Sequence, residues 1–114
     1  MLPASARLNR PEEIRATVRS GVRVGRPSLV VHALAKETPP PRAGFVVSKR
    51  VGGAVVRNRV KRRLRHLVAS ELAGAGAVDV VVRALPGAGS EPDRLAADLQ
   101  SAWRAAVRKV EATR

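Results

Sequence analysis

The stretch SKRVGGAVVRNRVKRRLRH, residues 48–66, decides how the chain is read: a turn at Gly52 and Gly53 runs into the most basic segment of the sequence. Residues 38–70 contain no Asp or Glu, and Lys49, Arg50, Arg57, Arg59, Lys61, Arg62, Arg63 and Arg65 all fall inside that window. Placed on a helix at about 100° per residue, the segment sorts into faces. Val56, Val60, Leu64 and Leu67 share one narrow arc, the spacing of a core-facing stripe. Arg57, Lys61 and Arg65 form a ridge beside it, and Arg59, Arg62, Arg63 and His66 form another on the far side, with Asn58 between them. An ordinary solvated helix face mixes signs, with Glu placed to pair with Lys or Arg four residues on. Here no acid appears until Glu71. Like charges packed this closely repel, and the phosphates of a nucleic acid would offset that cost. The spacing therefore predicts a basic helix over about residues 54–72 with a polyanionic partner.

The rest of the chain leans the same way. Its 114 residues suit one domain with a modest core, and the formal net charge is +13. That charge points to a nucleic acid or an anionic surface. No apolar run is long enough to cross a bilayer, and MLPASARLNR lacks the apolar stretch of a signal peptide, so a soluble, cytoplasmic protein is expected. There is no Cys, which removes disulfides and thiolate metal sites. His32 and His66 alone are too few for a histidine-rich metal site.

Before the basic segment, residues 7–20 read as an amphipathic helix capped by Asn9, with Pro11 in its first turn, Glu12 and Glu13 at its positive pole and Gly21 as its stop. Ile14 and Val18 share one face of it, directed at the core or at a cleft. Residues 22–26 form a brief strand, and LVVHALA, residues 29–35, a β-branched one that carries His32 among apolar neighbours. KETPPPR is a loop, because three successive prolines fit neither a helix nor a central strand. AGFVVS, residues 43–48, resumes the sheet and feeds into Lys49 and Arg50. Glycines at a helix start allow backbone N–H groups to approach a phosphate, yet they also serve as plain turn residues, and no Walker or dinucleotide fingerprint is present.

After the basic helix, Gly74 and Gly76 mark a stop and residues 78–85 form a buried strand in the same sheet as residues 43–48. Residues 86–90 read as a flexible turn, with Ser90 and Asp93 spaced as a capping box for a last helix. Along that helix Leu95, Leu99, Ala102, Trp103, Ala106 and Val110 recur at helical spacing, which makes Trp103 a core residue. The expected fold is a single α+β domain of order α-β-β-β-α-β-α, helices packed on a small sheet.

At VSKRVGGAVVRNRVKRRLRHL the chain resembles the bacterial ribonuclease P protein subunit, whose hallmark is an Arg-Asn-Arg stretch on a helix reached through a Gly-containing turn. The likeness extends to RLNRPEEIRATVRSG, similar to the family's opening helix, and to VVVRALPGAG, similar to its fourth strand and following turn. The resemblance implies a fold similar to the second domain of ribosomal protein S5, with a left-handed βαβ crossover where ordinary crossovers are right-handed. It implies a part in the endonucleolytic removal of the 5′ leader of precursor tRNA. In the family a large RNA subunit with bound Mg²⁺ catalyses the cut, while the protein grips the leader and strengthens substrate and metal binding. The implied partners are that catalytic RNA and precursor tRNA, with no membrane and no obligate protein partner.

Carried onto this chain, Arg57, Asn58, Arg59, Lys61, Arg62 and Arg65, with Arg63 beside them, match the family's RNA-contacting helix. Ser48, Lys49 and Arg50 match the strand end bordering its leader-binding cleft. On the cleft's other wall Ile14, Val18 and His32 stand where many relatives carry aromatic residues, so phosphate contacts and the imidazole are expected to take a larger share of the grip.

The side chains agree with an accessory role. A protein nuclease needs a carboxylate cluster for metal or a histidine acid–base pair, and the nine acids here are scattered outside the basic region. These residues supply charge neutralisation for phosphoryl transfer but no evident metal site, so no catalytic or metal-ligating residue is assigned to this chain and Mg²⁺ is expected to sit on RNA. A structural RNA-binding protein such as a ribosomal component accounts equally for the charge. A DNA-reading helix-turn-helix fits less well, because the basic helix is flanked by strands.

Overall fold

The computed structural model describes residues 2–114. Helix α1 spans Pro11–Ser20, β1 Val22–Gly25, β2 Leu29–Ala35, β3 Arg42–Val46, α2 Ala54–Leu72, β4 Val78–Ala84, α3 Gly87–Ser90 and α4 Leu95–Ala112. Apart from the short α3, this is the expected α+β order, and the basic helix has the expected bounds. The four strands form one sheet in the order β1-β2-β4-β3. β2 pairs antiparallel with β1 and β4, whereas β3 pairs parallel with β4. Two adjacent parallel strands need a crossover, and α2 supplies it.

Strand alternation assigns the two sheet faces. Leu29, Val31 and Ala33 of β2 with Val78, Val80 and Val82 of β4 join one buried cluster with α2 and α4. From α4 that cluster takes Leu95, Leu99, Ala102, Trp103, Ala106 and Val110, the full stripe expected from spacing. The intervening residues Val30, His32 and Val81 are buried on the opposite face, where α1 packs on β2 and β4 and buries Thr17.

Several local expectations are corrected. The first helix begins at Pro11, and residues 7–10 are extended. A residue preceding proline is pushed out of the helical region, and Arg10 has φ −79 and ψ 127, so it takes the N-cap position without a side-chain bond and Asn9 caps nothing. The released segment pairs instead with β3: the Leu8 N–H donates to the Ala43 carbonyl at 2.9 Å, beside a parallel bridge between Arg7 and Ala43. At the other end, Gly21 lies so close to β2 that a Cβ there would sit 2.5 Å from the Ala33 carbonyl oxygen. Residues 86–90 are not a loose turn but contain α3, with Ala88 buried. The Ser90–Asp93 capping box does not form. Pro92 opens a 3-10 turn through Arg94 before α4 starts, and the Ser90 hydroxyl donates back to the Pro86 carbonyl.

One ionic network ties α1 to the sheet. Arg42 donates to both oxygens of Asp79, at 3.0 Å from Nε and 2.8 Å from Nη2, and to Glu13 Oε2 at 2.9 Å, while Lys36 reaches Asp79 at 3.3 Å. These bonds, first to Asp79 and then to Glu13, hold the Arg42 guanidinium still more firmly protonated than usual. Arg42→Ala is expected to destabilise the fold by about 1–2 kcal/mol, the scale of partly exposed charge-assisted hydrogen bonds, read as a lower urea midpoint at unchanged slope.

Candidate nucleic-acid interface

The approach to α2 is set by its backbone. Val47 turns inward at the end of β3, Lys49–Val51 form a 3-10 turn, and Gly52 adopts φ 155. A Cβ at Gly52 would lie 2.9 Å from the Val56 side chain, so only glycine fits between the turn and the first helical residues. Gly53 is the N-cap, no side chain caps it, and the first turn holds no acid. The helix therefore starts with its positive pole unneutralised and with exposed Lys49 and Arg50 close by in sequence, an arrangement that favours an anion.

Along α2 the buried stripe is Val60, Leu64, Val68 and Leu72. Val56 and Leu67, expected in the stripe, flank it half-buried, because successive steps of four residues carry the anchor toward Leu72. Asn58, Arg59, Arg62, Arg63 and Arg65 are exposed, apart from half-buried Arg57 and Lys61 on the same helix. None of the ion pairs among the described residues uses a Lys or Arg of α2, whose Glu71 pairs with Arg104 of α4 at 3.3 Å. The Arg57 Nε is buried without a hydrogen-bond partner.

Beside α2 a groove of about 760 Å³ opens. Its apolar wall is Leu2, Leu8, Ile14, Ala43 and Phe45, and Lys61, Arg62, Arg65 and His66 line the side toward α2. Members of both expected ridges meet there, whereas Arg59 and Arg63 do not line it. Of the residues expected in a cleft, only Ile14 does. Val18 is 37% exposed on α1, His32 is 2% exposed on the α1 face of β2, and Ser48 and Lys49 are exposed where β3 leads into the turn. Sequence reading misses Phe45, Leu8, Asn9 and Arg7 as groove residues. Phe45 is the chain's one Phe and stands just before the basic segment, a signal that could have marked it.

His32 is unusual in another way: both ring nitrogens are buried without partners, and so is the Nε of Arg83. Burial first, then the charges of Arg83 and Arg23, lower the pKa of His32.

The arrangement offers unpaired cations for phosphates and an apolar, partly aromatic wall for a base. It resembles single-strand binding surfaces in kind, since these combine a positive track with stacking platforms.

A profile of the family described as Ribonuclease P matches residues 2–107. The ribonuclease P protein component of Streptomyces griseus is 56% identical over 114 aligned positions, covering 90% of this chain and 92% of that one. The one from Kocuria rhizophila is 49% identical over 111 positions, covering 96% and 98%. Among solved structures, the RNase P protein of Staphylococcus aureus superposes with a TM-score of 0.81 at 25% identity over 89% of this chain and 94% of that one. The Thermotoga maritima protein, at 22% identity and a TM-score of 0.74 over 83% and 94%, shares the fold.

Arg62→Ala and Arg65→Ala are each expected to weaken binding of structured RNA and to lower the slope of log affinity against log salt by about 1 for each phosphate no longer neutralised. Both side chains are exposed and unpaired, so stability from urea unfolding of the same samples should stay within about 0.5 kcal/mol of the parent.

Proposed function

The chain belongs to the ribonuclease P protein family, and on that premise we propose that it is the protein subunit of a ribonucleoprotein that removes the 5′ leader of precursor tRNA, docking on the catalytic RNA through α2 and gripping the leader beside it. The observation that carries this reading is the unpaired state of the α2 cations. A helix whose charges served the monomer's own stability would pair them with the acids available, and Glu13, Asp79 and Glu91 pair elsewhere. Arg57, Asn58 and Arg59 at the start of α2, with Lys61, Arg62, Arg63 and Arg65 along it, meet RNA phosphates. Lys49 and Arg50 extend the positive track back toward β3.

The leader takes a path between Ser48–Lys49 and the walls that carry Ile14, Val18 and His32. Phe45 supplies in the groove the aromatic surface that Ile14, Val18 and His32 do not. Like the catalytic RNA and precursor tRNA as partners, a cytoplasmic location belongs to this reading; no helix among the described residues is long and apolar enough to cross a membrane.

The family's Mg²⁺ does not suit this chain's residues. Asp79 and Glu13 accept from Arg42, Glu71 from Arg104, and the surface next to the groove is cationic and repels a dication. In this proposal the Mg²⁺ is held by RNA subunit and substrate, and the protein contributes positioning and charge neutralisation.

Reconstitution tests the assignment. RNA-free protein should leave precursor tRNA intact, and protein plus the cognate RNA subunit should release the leader with a 5′-phosphate on the tRNA. Cleavage by protein alone, or co-purification with ribosomal RNA in place of that subunit, would overturn it. Phe45→Leu, which keeps the apolar wall and removes the aromatic face, should weaken holoenzyme affinity for leader-bearing substrate by about 1 kcal/mol, roughly fivefold, with affinity for leaderless tRNA unchanged.

A further inference from the structure

On the α1 face of the sheet, away from the groove, three basic side chains converge. Arg23 of β1 stands directly across from His32 of β2. On the other flank Val81 of β4 faces His32, and Arg83 of β4 faces Val30, one diagonal step away. Directly opposed side chains lie about 5 Å apart and diagonal ones about 7–8 Å, within reach of an arginine. His32 is 2% exposed with both ring nitrogens unpartnered, and the Arg83 Nε is buried and unpartnered as well. Arg23 is exposed and takes part in no ion pair among the described residues.

A buried imidazole without a single hydrogen bond costs free energy, and two arginines beside it aggravate the position of its charged form. No carboxylate relieves it. Of the charged residues on α1, which packs over β2, Glu13 is committed to Arg42, and only Arg83 and Arg23 bear on the ring. Asp79, on the same face of β4, is held by Arg42 and Lys36. An anion is the one group that would satisfy both guanidinium groups and the ring together.

We propose that Arg23, Arg83 and His32 form a subsite for one backbone phosphate of single-stranded RNA, and that His32 takes up a proton when the phosphate binds. This rests on the reading of the partner as precursor tRNA and deepens it by assigning one leader phosphate to the far side of α1 from Arg42. In the free protein His32 is neutral near pH 7. With a phosphate between the arginines, the added negative charge favours the imidazolium, which then donates to a phosphate oxygen while the proton comes from solvent. Leader binding is thereby linked to pH and strengthens as pH falls from 8 toward 6.

The full-length protein offers an internal control, since exposed His66 titrates separately from His32. Ring ¹⁵N NMR titrations of the free protein, with orthophosphate and with a five-nucleotide single-stranded RNA should show the RNA raising the His32 midpoint by about one unit, the scale of an opposite charge at contact distance. Arg23→Gln and Arg83→Gln should each abolish most of that rise. In the reconstituted holoenzyme, affinity for leader-bearing relative to leaderless tRNA should increase severalfold from pH 8 to pH 6, bounded by about tenfold per unit of pKa change, and His32→Gln should flatten the dependence. An unmoved His32 midpoint with RNA bound, an unchanged pH dependence in Arg23→Gln, or a response to orthophosphate with none to RNA would each overturn the subsite. Arg23 is exposed, so its variant remains informative should His32→Gln fold poorly. Failure of the protein to bind the catalytic RNA would be a separate result, striking the family role and leaving the His32 titration to be read alone.

Discussion

The uncompensated charge of α2 constrains the rest of the molecule. A helix positive over most of its circumference has only a narrow strip left for anchoring, and Val60, Leu64, Val68 and Leu72 fill it. Each fully buried Val or Leu contributes about 1.5–3 kcal/mol, whereas two exposed like charges one helical turn apart, about 6 Å, repel by about 0.7 kcal/mol in water and less in salt. The strip therefore outweighs the repulsion, but only if nearly all of it is buried. That requirement explains why α2 lies against the sheet together with α4 in one continuous core, and why Glu71 near its end is pinned to Arg104.

The few acids are placed where elements meet. Glu13 and Asp79 close on Arg42 and tie α1 to β3 and β4, and Asp98 in the first turn of α4 accepts from both the backbone N–H and the hydroxyl of buried Ser28 at the start of β2. Holding acids at these joints stabilises the frame and keeps them from the α2 surface. Charge is segregated by position as well as by number, and the net charge of +13 is therefore concentrated on the surface available to a partner.

Elements set by local pattern are legible in the sequence. The β-branched runs mark β2 and β4, the aliphatic spacing marks α4 down to its six buried residues, and the acid-free run marks α2 with its bounds. What depends on distant parts of the chain is hidden. Nothing in residues 7–10 announces that they pair with Ala43, and a proline suited to the first helical turn does not by itself tell whether the residues before it are helical. The groove is half-visible: Lys61, Arg62 and Arg65 are expected to meet RNA, but Phe45 joins Ile14 only because β3 is the last strand in the sheet order. His32 reads as a sheet residue facing a cleft. Its isolation between Arg23 and Arg83 follows from strand register, which a single sequence does not fix.

The position of β3 also explains how the groove comes to exist. An edge strand presents unpaired backbone groups that invite association with another chain. The β1 edge is short and carries exposed Arg23, a charge that discourages such pairing. The β3 edge is instead met by the N-terminal segment, anchored through Leu8 to Ala43, with Leu2, Ala6 and Leu8 buried. Because that segment bonds to β3 at one point and does not extend along it as a full strand, it stands off from α2 and leaves the apolar wall of Leu8, Ile14 and Phe45 facing Lys61 and Arg65. A longer strand there would close the sheet edge more completely and fill the space in which a base can lie beside the cations. Edge protection and the groove wall are thus the same few residues.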